Sequence, residues 1–332
     1  MPLRSAVSVV ISGAMLLLAL IAPASFCAEK PDDSALVESI IQAQKAAGAA
    51  LDGISGSAVV KRSMIVTEFP GRSGRQKDTR EGTENYVADF KLKGGMQRVT
   101  KHFYDPTTGQ RGALMQDRID DPESLWCYTP AAKAAYRVDI RSSMFANILG
   151  DDFGFAAINT PGVTQFEMLL RNSYKDSDYW ETSFRDDGMM VIKGGGFSEQ
   201  SSLKWESAFV LNPAADYRLV EYDKTAVWGK GDRRSGSHKV QWENVNGRWV
   251  PRSVTHVSDW RGNPNDPKSV RDTLQECVIE FRSYDTGVSI DDGVFKMDAF
   301  DMPAGTDIID HVAKAFYEYK GSVADDAVTG DL

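Results

Sequence analysis

The chain has 332 residues, of which 42% are hydrophobic and 26% charged, and a formal net charge of -9, a balance that suits a large folded core. The acidic excess argues against a nucleic-acid partner, and no basic stripe with interleaved aromatics offsets it. The spacing of the Cys and His residues argues against a zinc centre, because His102, His238, His256 and His311 lie far apart with no Cys or His close in sequence.

The first residues carry an export pattern. Arg4 precedes an apolar stretch from Ala6 to Ala22, and Pro23, Ala24 and Ser25 supply the small residues that suit a signal peptidase. Residues 1–27 are therefore expected to be a signal peptide, cleaved after Ala24 or after Cys27, with the mature chain periplasmic or otherwise secreted. Phe26 directly before Cys27 argues against lipid attachment there, where a small residue is normal. No later segment is apolar enough to span a bilayer, so the mature chain is expected to be soluble. In an oxidising compartment Cys127 and Cys277 can pair or remain buried thiols, and sequence leaves both readings open.

After a charged start at Glu29–Asp32, Leu36, Val37, Ile40, Ile41 and Gln44 fall at helical spacing, which predicts an amphipathic helix over Asp33–Ala47 with Asp33 as its N-cap. From Ile54 the texture changes to strand-like runs. These are Ser57–Phe69, Glu84–Leu92, Met96–Tyr104, Arg111–Asp117, Ser124–Thr129 and Ala135–Ile140. The links Lys93-Gly94-Gly95 and Pro130–Ala134 are of hairpin length and require antiparallel neighbours. Met144, Phe145, Ile148 and Leu149 predict a short helix running into an aromatic loop within Ser142–Ile158, and Pro161–Asp178 reads as a long loop. Strands resume at Trp180–Phe184, Met189–Lys193, Leu203–Leu211, Tyr217–Tyr222, His238–Glu243, Arg248–Ser258 and Leu274–Ser283. Asn246-Gly247 is the clearest tight turn, since both residues tolerate positive φ. Arg261–Lys268 is a loop, and the acidic tail 321–332 is expected to be disordered. No linker divides the strands, so residues 28–320 are expected to form one domain.

The sequence carries little catalytic chemistry. No Gly-x-Ser-x-Gly elbow accompanies the serines, and the acid pairs Asp151-Asp152, Asp186-Asp187 and Asp291-Asp292 read as turn residues rather than general acids or calcium ligands. Gly194-Gly195-Gly196 lacks the Lys-Ser/Thr and helix of a phosphate loop, and is expected to be a turn or bulge between Lys193 and Phe197. The aromatic set Trp126, Tyr128, Phe153, Phe155, Trp205, Phe209, Trp242 and Trp249 supplies large apolar groups, either as core or as the lining of an apolar cavity.

The run Leu125-Trp126-Cys127-Tyr128-Thr129-Pro130-Ala131-Ala132-Lys133, continuing through Tyr136-Arg137-Val138 to Phe145 and Gly150-Asp151-Asp152-Phe153, resembles the outer-membrane lipoprotein-sorting family. That family follows a Trp-x-Tyr-x-Pro-Ala turn with an Arg-containing strand and a Gly-(Ser/Thr)-Asp-Phe segment. Two further stretches are similar: Trp242–Pro251, and Asp291–Asp310 with Val294-Phe295 leading to Pro303-Ala304-Gly305-Thr306. The likeness runs from about Leu125 to Asp310. It departs from the pattern at Asp151, where a small hydroxyl residue is common, and in the longer loops Pro161–Asp178 and Arg261–Lys268.

The resemblance implies a LolA-like fold, mainly β: a strongly curved antiparallel sheet forming an incomplete barrel, with N-terminal and mid-chain helices covering its concave side. It also implies an apolar cavity for acyl chains. The expected function is that of a non-catalytic, monomeric carrier of lipid or lipoprotein in the periplasm or envelope, with no cofactor. Binding would be driven by removal of acyl surface from water, worth about 0.8 kcal/mol per methylene. The alternative is an envelope sensor or interaction module that uses the same sheet for a protein partner, with a secreted hydrolase as a more distant third.

Overall fold

The computed structural model describes residues 32–49, 53–68, 78–121, 123–139, 160–229, 231–262 and 271–321. In chain order its elements are α1 (Ser34–Ala49), β1 (Ile54–Glu68), β2 (Asp78–Lys93), β3 (Met96–Tyr104), β4 (Arg111–Asp120), β5 (Ser124–Thr129) and β6 (Ala134–Asp139). There follow α2 (Thr160–Asp176), β7 (Tyr179–Phe184), β8 (Met190–Ser198), β9 (Leu203–Asn212), β10 (Arg218–Trp228), β11 (Arg233–Val245), β12 (Arg248–Arg261), β13 (Arg271–Thr286), β14 (Thr306–Asp310) and β15 (Ala315–Tyr319).

All 15 strands belong to one curved sheet that does not close, in the order β15-β14-β6-β5-β4-β3-β2-β1-β13-β12-β11-β10-β9-β8-β7. The chain winds outward as a meander from β1 to β6, crosses to the far edge at β7, and winds back to β13. There β1 and β13 pair from Ile54↔Thr286 to Glu68↔Arg271 and join the halves at the middle. Short links explain the antiparallel pairs: Gly94 and Gly95 turn β2 into β3, and Asn246 and Gly247 turn β11 into β12, all four with positive φ. One pair departs from the antiparallel expectation, since β14 runs parallel to β6 with Ile308 opposite Ala135. A parallel neighbour requires a long connection, and half of the chain lies between these two strands.

Directly opposed residues share a sheet face, so register sorts the side chains. On one face Ile54, Val60, Tyr86, Phe90, Val240, Val254 and Ile279 form a continuous buried cluster across β1, β2 and β11–β13. At Gly56 an added Cβ would lie 2.4 Å from the Phe90 ring and 2.2 Å from the Ser283 carbonyl, so only glycine lets Phe90 lie over this part of β1. The same face carries both helices further along. Val37, Ile40 and Ile41 of α1 and Phe166 and Leu170 of α2 pack on Ile192, Phe209, Leu211 and Tyr222. The helices are tied together by Lys45–Glu167 and Arg171–Glu38 ion pairs, and Gln44 Nε2 donates to the Tyr217 carbonyl at 2.5 Å.

Asp33 stands directly before α1, but its carboxylate accepts from Thr182 Oγ1, while Asp32 accepts from the Ser34 amide. The segment read as a loop, Pro161–Asp178, is instead helical through Asp176. Pro161 suits a first helical turn, and Phe166, Leu169, Leu170, Ser173 and Tyr174 repeat at helical spacing. The helix expected within Ser142–Ile158 lies outside the described residues. The glycine triplet is likewise not a turn but the interior of β8. Cβ atoms at Gly194 and Gly195 would come within 2.7 Å of the Trp180 ring and the Trp205 carbonyl, so the bare backbone lets these neighbours close in.

The opposite face of β4–β6 is covered by the segment between β13 and β14, through Ile290, Phe295, Phe300 and Met302 packed on Ile119 and Tyr128. Arg98 anchors this segment by pairing with Asp117 at 2.6 Å and donating to the Val294 and Ala299 carbonyls. Cys127 on β5 and Cys277 on β13 are both buried.

Candidate functional site

A cleft of about 620 Å³ opens between α2 and the helix-covered face of β9–β12, within the roughly 300–1,000 Å³ typical of small-molecule sites. Helical spacing places Leu169, Ser173 and Asp176 of α2 on one wall. Strand alternation supplies the other: Leu203 and Trp205 from β9, then Tyr222, Lys224, Ala226 and Trp228 from β10.

Register builds the floor in rows. Phe209, Tyr222, His238 and His256 stand opposite one another across β9–β12, and Lys224, Gly236 and Ser258 form the next row. Arg234 lies opposite Ala226, one row further out. His238 and His256, isolated from each other in sequence, are cross-strand neighbours with ring centroids 6.0 Å apart. A one-residue bulge between Gln241 and Trp242 produces this pairing. Without it His238 would oppose Thr255, and His256 would point to the other face. Among the described residues no third Cys, Asp or Glu joins the histidines as a metal-holding group.

The electrostatics of the floor are set by enclosure and by cations. Burial, and then His256, push the His238 pKa down to about 3. Burial and Arg234 lower that of His256. Burial raises the Tyr222 phenol, so histidines and tyrosine are all neutral at pH 7. Lys224 keeps solvent contact, and its pKa is lowered by the enclosing walls and by Arg234, with Asp176 opposing. Its ammonium lies 5.8 Å from the Trp205 ring centroid.

The His238 environment has a measurable consequence. The unfolded chain takes up a proton below the ordinary histidine value of 6.5, whereas the folded site refuses it down to about 3, so stability is lost as pH falls through that window. Between about pH 7.5 and about pH 5.5, wild type is expected to lose about 1.4 kcal/mol more than His238→Gln in urea titrations. Equal losses in the two proteins would show that His238 titrates normally in the folded chain.

Of the six aromatic candidates among the described residues, Trp205 alone lines this cleft. Phe209 sits beneath it in the helix–sheet core, fully buried, 4.8 Å from the Tyr222 ring. Trp242 packs against the central cluster and donates its indole N–H to the Leu219 carbonyl at 2.8 Å, with Arg218 over its ring. Trp249 is half-buried on β12, in register with Asn244. Trp126 and Tyr128 lie on the opposite sheet face, Trp126 beneath the Arg137 guanidinium and Tyr128 against Phe300. Phe153 and Phe155 fall outside the described residues. The polar members of the site, Tyr222, Lys224, Arg234, His238 and His256, do not stand out from sequence as ligand contacts. The one signal for them is the alternation of Tyr222, Lys224, Ala226 and Trp228 along a single strand.

No family model and no curated protein matches the chain. Among solved structures it is similar to an uncharacterized conserved protein from Thermus thermophilus, at 9% identity and TM-score 0.27 over 83% of this chain and 99% of that one. A second similarity is to lipovitellin, described for its lipid–protein interactions, at 6% identity and TM-score 0.28 over 72% of this chain and 26% of that one. A third is to the ywiB protein of Bacillus subtilis, at 4% identity and TM-score 0.16 over 69% of this chain and 94% of that one. None of these scores is high enough to bear on fold or function.

Proposed function

We propose that the chain is an exported, non-catalytic carrier that holds acyl chains of lipid or lipoprotein in the cleft between α2 and β9–β12. The observation that carries this reading is the open cleft of about 620 Å³ with Leu169, Leu203, Trp205, Ala226 and Trp228 in its walls. A module that only docks a protein partner on the same fold would be expected to fill this space with its own side chains. The curved, unclosed sheet agrees with the motif likeness to lipoprotein-sorting proteins. Burial of acyl surface needs no reactive group, which fits a chain without a catalytic motif.

The test is purification of the full chain from the envelope, extraction, and mass spectrometry of what co-purifies. Gly236→Val supplies a matched control. A Cβ at Gly236 meets nothing nearer than the Val257 carbonyl at 3.9 Å, so the strand accepts a side chain that protrudes into the cleft. Wild type is expected to yield lipid and to take up a fluorescent fatty-acid probe, and Gly236→Val to fold normally and do neither. Absence of lipid together with absence of probe uptake in wild type would refute the reading.

A further inference from the structure

We propose that the cleft selects an amphiphile with an anionic head, a carboxylate or phosphate, held by Lys224, Arg234 and the Tyr222 hydroxyl while the alkyl chain lies along Leu203, Trp205 and Leu169. The inference rests on the carrier reading above and specifies which ligands that site takes.

Three observations converge on it. First, Lys224 and Arg234 both line the cleft and repel one another, yet neither pairs with a carboxylate among the described residues. This contrasts with Arg62, Arg98, Arg111, Arg118, Arg137 and Arg171, each of which has an acidic partner. Asp176 is the single carboxylate in the lining and bonds to neither cation, so the walls carry one more positive than negative charge inside a chain whose formal net charge is -9. Second, the Tyr222 hydroxyl is buried with no hydrogen-bond partner among the described residues, although Tyr222 lines the cleft. A buried donor left unmade costs free energy, and an acceptor entering the cleft would satisfy it.

Third, the floor between Lys224 and Ser258 is bare. Gly236 occupies it without a positive φ and without a neighbour close enough to exclude a side chain. The backbone does not demand glycine here, but a head group seated between the cations does. The neutral histidines beside it add ring nitrogens without adding repulsion or a competing cation. Anion and chain are thus recognised by adjacent parts of one cleft: charged groups in contact with solvent at one side, aromatic and aliphatic groups at the other.

The discriminating experiment is calorimetric titration of the lipid-stripped full chain with decyl phosphate, decanoate, decanol, decyltrimethylammonium and inorganic phosphate. Both anionic amphiphiles are expected to bind at least about tenfold more tightly than decanol, the scale of one charge-assisted hydrogen bond. The cationic amphiphile is expected to bind weakest. Combined Lys224→Met and Arg234→Met should remove the preference for decyl phosphate and decanoate over decanol, and added salt should weaken the preference in wild type. Equal binding of decanol and decyl phosphate, or a preference that survives the double substitution, overturns the inference while leaving the carrier reading intact. Binding of inorganic phosphate with no binding of any alkyl probe overturns both, because the cleft would then be a site for a free anion.

Discussion

Asp120→Ala is expected to destabilise the protein by about 3–5 kcal/mol, because it breaks a fully buried ion pair by removing one partner. Arg118 and Asp120 follow one another on one face of β4, and both side chains are 0% exposed. Arg118 Nε and Nη2 donate to Asp120 Oδ2 at 3.1 and 2.8 Å. Their cross-strand neighbours are Gln97, Val99, Leu125 and Cys127, which offer no second charge. The Gln97 amide is itself fully buried with neither polar atom bonded among the described residues. A charge in such surroundings is costly unless it is paired and hydrogen-bonded. Against a typical total of about 5–15 kcal/mol, the loss is a large share of the folding free energy. Equilibrium urea unfolding measures it. Replacing both residues, Arg118→Met with Asp120→Leu, should recover most of the loss, since an apolar pair needs no compensation. A single substitution that costs under about 1 kcal/mol, or a double one as damaging as the single, would mean that the pair is not what stabilises this end of the sheet.

The pair also shows where sequence reading stops. Met96–Tyr104 and Ser124–Thr129 are legible to the residue, because runs rich in strand-forming Val, Thr and aromatic residues lie between clear turn signals. The β4 run is legible only as far as Asp117, since Arg118, Ile119 and Asp120 break the expected alternation by placing charges on a buried face. Helix α2 escapes the sequence for a related reason. Pro161 and Gly162 read as breakers, and polar Asn172, Ser173 and Asp176 on the cleft side dilute the apolar face formed by Phe166 and Leu170. β14 and β15 escape it because they are five residues each, too short for periodicity to speak.

The site is less legible than the fold. Its residues come from α2 and four separate strands, and what brings them together is register, which a propensity reading does not determine. His238 and His256 show this best, since their adjacency turns on one bulge in the β11–β12 hairpin. Likewise the aromatic residues that stand out in the sequence, Trp126 and Tyr128 among them, are divided between two faces of the sheet. Side-chain size marks a residue as structurally important, but it does not say which side of a strand faces the ligand.

Phe209→Ala is expected to cost about 3–5 kcal/mol, the range for emptying a fully buried aromatic site. Phe209 is 0% exposed and lies between Phe166 of α2 at 6.1 Å and Tyr222 of β10 at 4.8 Å, centroid to centroid. It is therefore one of the contacts through which α2 is seated on the sheet above the cleft. Its removal should loosen the helix and the Tyr222 ring together, so loss of stability and loss of alkyl-probe binding should appear in the same variant. Trp205→Ala provides the contrast. Trp205 is only half-buried and faces the cleft, so its loss is expected to leave stability within about 1 kcal/mol of wild type while still weakening the probe. Urea unfolding and fluorescent-probe titration on both variants separate the two roles. If Phe209→Ala unfolds within about 1 kcal/mol of wild type, or Trp205→Ala binds the probe normally, the division between seat and wall does not hold.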